Sequence, residues 1–175
     1  MSVLIAALFA AAGGPSHHGF FLRMDLDAGY HNASGASTTV DGPGAGFGIS
    51  IGGNVADNLA LFGTIAGSGS GGDNTRAAHG IFGLGLTYYL MPANVFLSGA
   101  VGFAGMRITL NNVDYDSDAG FGGRFGVGKE WFVSDSWGLG VAGYFDFAVA
   151  KQKDVLNPPT WWSFAPLVAF TATFY

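Results

Sequence analysis

The stretch Phe20-Phe21-Leu22-Arg23-Met24-Asp25-Leu26-Asp27-Ala28-Gly29-Tyr30 sorts its side chains by parity. Phe20, Leu22, Met24, Leu26, Ala28 and Tyr30 fall on one side, Phe21, Arg23, Asp25, Asp27 and Gly29 on the other. Successive side chains of a β-strand point to opposite faces, so this is a strand with one apolar and one charged face. The same segregation recurs in 119–132, where Phe121, Phe125, Val127 and Trp131 oppose Gly122, Arg124, Gly126, Gly128 and Glu130. In 138–149, Leu139, Val141, Phe145, Phe147 and Val149 oppose Gly140, Ala142, Tyr144, Asp146 and Ala148. A soluble, lipocalin-like barrel would have to turn the second face outward, yet solvated surfaces are built from Lys, Glu, Ser and Thr rather than Gly and Ala. Turned inward, the small residues leave a narrow lumen the space that a few charges and waters need. The apolar face then meets lipid, and the reading is an all-β transmembrane barrel.

Composition agrees. The 175 residues suit one domain, and 11% charge is too little for an ordinary soluble surface. Past Gly13 no apolar run approaches the roughly 20 residues of a spanning helix, while 30 glycines and 15% aromatics favour strands over helices. A net charge of −5 offers no basic footprint, so nucleic acid is not an expected partner. The absence of cysteine excludes thiol redox chemistry and thiolate metal sites. Residues 1–18 carry an apolar run from Val3 to Ala12 that ends in small residues, as a signal peptide remnant does, followed by a linker with His17-His18; no Lys or Arg precedes the run.

From 19 to 175 the chain reads as one domain of eight strands: 20–30, 44–54, 58–67, 80–91, 95–107, 119–132, 138–149 and 161–174. Their lengths match the need of a tilted strand to cross a bilayer. Val55-Ala56-Asp57-Asn58, Met91-Pro92-Ala93-Asn94 and Val133-Ser134-Asp135-Ser136 are short, mutually similar turns, whereas 31–43, 68–79, 108–118 and 150–160 are long and polar. Strict alternation of short and long puts all turns at one end of an antiparallel up-and-down barrel and all loops at the other. Phe20, Tyr88, Trp131, Trp137 and Phe174 form an aromatic belt near the turns, and Tyr30, Phe147, Trp161 and Trp162 a belt near the loops. Lys129 interrupts an apolar face close to the turn end and is expected to snorkel to the rim. Pro158-Pro159 stiffens the approach to the last strand, with Trp161-Trp162 as interfacial anchors.

These strands, three turns, four loops and the aromatic closing segment WWSFAPLVAFTATFY (161–175) resemble the OmpA/OmpX-type outer-membrane barrel domain, over about residues 19–175. The resemblance implies a bacterial outer membrane location with short periplasmic turns, external loops and both termini periplasmic. It implies as partners outer-membrane lipid, lipopolysaccharide and the assembly machinery that reads an alternating aromatic last strand. Val168, Phe170, Ala172 and Phe174 supply that alternation, and Tyr175 lies out of step with it.

Arg23, Asp25, Asp27, Arg124, Glu130 and Asp146 are the candidate site, a charge cluster facing the lumen. If 119–132 and 138–149 turn about Asp135, Arg124 and Asp146 are equidistant from the turn and pair directly. Such a pair either satisfies the interior or acts as an ion gate. Asp114, Asp116 and Asp118 offer hard oxygen ligands to calcium, but an EF-hand loop needs Gly where Ala119 stands, so solvated acids are the commoner reading. His31 and His79, with Ser68 and Ser70 nearby in sequence, are the residues a lipid-modifying enzyme would use; no motif surrounds them, and loop histidines are usually solvated. Arg76, Lys151 and Lys153 are loop cations able to meet phosphates of lipopolysaccharide. The expectation is a monomeric structural or surface-interaction barrel without cofactor or catalysis, with a narrow pore for ions or small molecules as the alternative and a lipid A-modifying enzyme as the lesser one.

Overall fold

The computed structural model describes residues 19–35, 38–72 and 74–175, and the signal-peptide and His17-His18 readings lie outside these. Nine strands follow one another: β1 (Gly19–Gly35), β2 (Thr38–Ala56), β3 (Leu59–Gly71), β4 (Thr75–Leu90), β5 (Val95–Leu110), β6 (Val113–Asp116), β7 (Gly120–Phe132), β8 (Trp137–Lys151) and β9 (Thr160–Phe174). All pairings are antiparallel, β9 joins β1, and β4 pairs with β5, so the eight long strands close into a barrel and β6 extends the edge of β5.

The wall is inverted relative to a soluble protein. Leu26, Leu84, Phe103 and Val168 are 69–76% exposed, whereas Arg23, Glu130 and Asp146 are at most 2% exposed. Only a lipid environment makes that distribution favourable, since in water each exposed large side chain forfeits about 1.5–3 kcal/mol of burial. Buried glycines admit the interior charges. A methyl group on Gly48 of β2 would stand 2.5 Å from Asp25 Oδ2 and 2.6 Å from Arg124 Nη1, and one on Gly126 of β7 would lie 2.2 Å from the Tyr144 ring.

Three of the four polar segments read from sequence as loops are largely sheet, and only 150–160 stays mostly outside the strands, between β8 and β9. β1 and β2 pair as far as Gly35↔Thr38, β3 and β4 as far as Gly71↔Arg76, and β5 continues into β6 around Asn111-Asn112, both with positive φ. About 9–11 residues cross a membrane, so strands of 13–19 residues project beyond it. There, polar residues on both faces hide the period of two. The Asn-Asn pair flanked by Leu110 and Val113 is a two-residue hairpin signal of the primed-turn kind.

Trp161 also departs from expectation. It is 4% exposed and packs inside with Val40, Ile81, Met106 and Ile108, leaving Trp162, 49% exposed, as the interfacial residue. Tyr175, out of step with the lipid row, turns its hydroxyl inward onto Glu130. Lys129 sits at the turn end, where its Nζ donates to the Ala93 carbonyl at 2.5 Å.

Gly48→Val is expected to weaken the barrel by about 1–3 kcal/mol through overpacking, lowering the temperature at which an unboiled sample loses its compact gel mobility. Gly143→Val, where an added methyl meets nothing within 4 Å, leaves that temperature unchanged; equal effects of the two substitutions would contradict the inside–outside assignment.

Candidate functional site in the barrel lumen

β7 sets Arg124 directly across from Asp146 of β8. The guanidinium forks onto that carboxylate, Nε donating to Oδ1 at 2.8 Å and Nη2 to Oδ2 at 2.9 Å. Asp27 of β1 accepts a second bond from Nη2 at 2.6 Å, and Asp25 accepts from Nη1 at 3.5 Å. The Tyr144 ring lies 4.8 Å from the guanidinium carbon, and its hydroxyl donates to Asp25 Oδ1 at 3.3 Å. One cation thus gathers three carboxylates from two sides of the barrel.

Nearer the turn end, Arg23 and Glu130 make a second centre with a 3.1 Å ion pair. Arg23 donates to Tyr89 Oη at 2.6 Å, Thr173 Oγ1 at 3.2 Å and Thr87 Oγ1 at 3.3 Å, with its guanidinium 3.9 Å above the Phe96 ring. Glu130 accepts from Thr173 at 2.7 Å, from Tyr89 at 3.3 Å and from Tyr175. The two centres together contain all six candidate residues.

A third centre joins two histidines and three serines. His31 and His79 are 0% and 4% exposed inside the barrel, in β1 and β4, rather than in solvated loops. His31 Nε2 and His79 Nδ1 are 3.1 Å apart, and Ser163 Oγ lies 3.0 Å and 2.8 Å from them. His79 Nε2 is 3.3 Å from Ser68 Oγ and 3.6 Å from Asp146 Oδ2, and Ser70 Oγ is 3.5 Å from His31 Nδ1. The histidines and serines singled out from sequence are therefore brought together, joined by Ser163 and linked through Asp146 to Arg124. Parity carried the signal: His31 continues the odd-numbered face of Arg23 to Gly29.

Ser163, His79 and Asp146 have the composition of a nucleophile, base and orienting acid. Ser163, however, is fully buried. Above it the lumen is filled by Ala33, Val40, Met106, Ile108, Ala150 and Trp161, and the opposite end by Phe21, Phe62, Tyr89 and Phe96. The hydrogen bonds satisfy polar groups that the wall encloses.

Outside the barrel wall, Asp114 and Asp116 lie in the β5–β6 hairpin and Asp118 just beyond it. Arg107 Nε and Nη2 donate to Asp116 at 2.6 and 3.2 Å, Thr109 donates to Asp114 at 2.7 Å, and Asp118 donates its backbone N–H to the Lys151 carbonyl. The Arg107 hydrogen bond holds the Asp116 carboxyl below its ordinary range. Among the described residues, no group of three or more His, Asp or Glu is placed to hold a metal ion.

Arg124→Ala leaves three buried carboxylates without their cation and is expected to destabilise by about 3–5 kcal/mol, as removal of one partner of a buried ion pair does. Urea titration in detergent measures this. Combining Arg124→Met with Asp25→Asn, Asp27→Asn and Asp146→Asn is expected to recover most of the loss; no recovery would mean that the charges themselves are not what the site balances. Calcium is expected to leave the melting temperature unchanged, because Asp114 and Asp116 already have partners, and a calcium-dependent rise would restore the metal reading.

Comparison with solved structures finds the same architecture. Neisserial surface protein A superposes with a TM-score of 0.61 at 14% identity, covering 89% of this chain and 96% of that one. The attachment invasion locus protein of Yersinia pestis, solved in complex with the heparin analogue sucrose octasulfate, gives a TM-score of 0.50 at 9% identity, covering 87% and 99%. At these identities the likeness is one of fold. No curated protein sequence is similar enough to count as a match. The model of the outer membrane protein beta-barrel domain matches residues 2–155, and with the lipid-facing wall and enclosed charges described above, the chain belongs to that family.

Proposed function

We propose that this protein is a closed, non-catalytic structural barrel of the bacterial outer membrane, acting as a monomer. The observation that carries the reading is the filled lumen: three interlocked polar centres lie between apolar side chains at either end. The short turns and both ends of the chain face the periplasm, and the projecting β1–β2, β3–β4 and β5–β6 hairpins face outward. Outer-membrane lipid and lipopolysaccharide surround the exposed row, and the alternating Val168, Phe170, Ala172 and Phe174 present the aromatic strand to the assembly machinery. Surface interaction then belongs to the hairpins, because the lumen side chains are engaged with one another.

One observation favours the pore alternative. Asp27 Oδ1 and Thr171 Oγ1 are buried without a hydrogen-bond partner, and polar groups of that kind hold water. A water file between them would still meet the apolar residues at each end.

In planar bilayers the purified protein is expected to show no stepwise conductance; a resolved unit conductance would replace the closed barrel with an ion path. Because the chain has no cysteine, Asn112→Cys gives a single reporter at the β5–β6 turn. It is expected to react with an impermeant maleimide on intact cells, and reaction only after the outer membrane is opened would reverse the orientation.

A further inference from the structure

The buried charges of the lumen do not balance. Two guanidinium groups, of Arg23 and Arg124, are enclosed with four carboxyl groups, of Asp25, Asp27, Glu130 and Asp146, and all six residues are at most 6% exposed. Glu130 pairs with Arg23, and Asp146 takes the fork of Arg124. Asp25 and Asp27 share what remains of that one cation. Asp27 Oδ2 accepts from Nη2, which already serves Asp146, and Asp25 receives Nη1 only at 3.5 Å. Among the described residues, neither histidine lies within salt-bridge distance of Asp25 or Asp27; His79 approaches Asp146 instead. An excess of negative charge inside a wall that lipid surrounds is costly unless something positive meets it.

A second observation locates the imbalance at Asp27. Its side chain is fully buried and Oδ2 is bonded to Arg124, yet Oδ1 has no hydrogen-bond partner among the described residues. An enclosed polar atom without a partner calls for an explanation. The neighbouring strands offer this oxygen no side-chain donor: Gly46 of β2 stands opposite Asp27 on one side and Ala169 of β9 on the other, and Gly48 stands opposite Asp25. Glu130 in the same lumen is treated differently, since it accepts from the hydroxyls of Thr173, Tyr89 and Tyr175. One further oxygen, Thr171 Oγ1, is buried without a partner on β9, in the position across from Asp25. Water satisfies a neutral hydroxyl. It satisfies the geometry of a carboxylate oxygen as well, but leaves the charge.

We propose that the lumen holds one monovalent metal cation of sodium size on Asp27 Oδ1, beside Asp25, with water completing its coordination. Carboxylate and water oxygens are ligands for hard cations. A divalent ion does not fit: calcium takes six to eight oxygens, and among the described residues no three acidic or histidine side chains converge on one point. An organic cation does not fit either, because an eight-stranded barrel has room for little beyond its own side chains. The ion offsets part of the excess that Arg124 leaves, and the bare positions Gly46, Gly48 and Ala169 are what keep side chains of the neighbouring strands away from it. Folding of the barrel is then linked to sodium, whether or not the lumen conducts.

The test is equilibrium unfolding and refolding of the full chain by urea in non-ionic detergent, at neutral pH and constant ionic strength, with sodium chloride exchanged stepwise for choline chloride. Choline is too bulky for the lumen. The folded state of the wild type is expected to gain about tenfold for each tenfold rise of sodium above its dissociation constant, as linkage to a single site requires. Asp27→Asn is expected to abolish this dependence and, in choline, to be at least as stable as the wild type, because it removes a charge that choline leaves unmatched. Asp114→Asn with Asp116→Asn, which removes acids outside the wall, is expected to leave the dependence intact. Equal urea midpoints of the wild type in sodium and in choline overturn the proposal, and that comparison needs no variant to fold. A sodium dependence that survives Asp27→Asn, or that vanishes with the outer acids, overturns it too. Stability that follows pH while ignoring sodium would assign the balancing charge to a proton on the carboxylates and overturn it as well.

Discussion

A guanidinium enclosed by a barrel wall has no bulk water to fall back on, and the arrangement around Arg124 follows from that. Burying one charge costs several kcal/mol unless it is matched at close range. Here the match comes from three carboxylates, Asp146 in a fork and Asp25 and Asp27 from across the lumen. Because these acids sit on β1 and β8, the cation ties the wall together through its middle. It also fixes which parity of each strand faces inward. A one-residue slip of β7 against β8 would send Arg124 into lipid and bring Phe125 inside, so the ion pair selects the register as well as occupying it.

The glycines belong to the same constraint. An eight-stranded barrel has an interior only wide enough for side chains. Two arginines, four carboxyl groups, two histidines and several tyrosines fit because the facing positions are empty: Gly46 and Gly48 beside Asp27, Asp25 and Arg124, Gly126 beside Tyr144, Gly128 beside Phe96 and Gly140 beside Glu130. Large polar side chains and glycine are complementary on neighbouring strands. What reads in composition as flexibility is space already filled.

This explains how far the sequence could be read. Within the membrane, lipid forces the outer parity to be apolar, so Phe20 to Tyr30, 119–132 and 138–149 showed their faces, and equal spacing from Asp135 was enough to pair Arg124 with Asp146. Beyond the membrane that force is absent. Both faces of 31–35, 38–43 and 108–116 carry polar residues, and strands there read as loops. His31 and His79 were assigned to solvent for that reason alone, although their parity already placed them inside. Trp161 was misplaced by a different route: two adjacent tryptophans must point to opposite faces of a strand, so only one of the pair can reach the interface. The cross-lumen contacts, Asp25 and Asp27 to Arg124 and Ser163 to the histidines, join strands far apart in sequence and depend on barrel closure, which no local pattern encodes.

The division of labour between inside and outside bears on where function resides. Most polar groups of the lumen bond to one another, so a substitution there is felt first as a loss of stability. The outer surface is under weaker internal constraint. A position such as Gly80 or Gly105, which no neighbouring atom and no backbone angle requires to be glycine, costs the sheet something and returns nothing to its packing. When a fold makes a feature necessary, the feature says little about function; when the fold is indifferent or opposed to it, the explanation has to be sought in what the protein meets. In this barrel the charged interior falls in the first class and the two bare glycines of the β4–β5 ladder fall in the second.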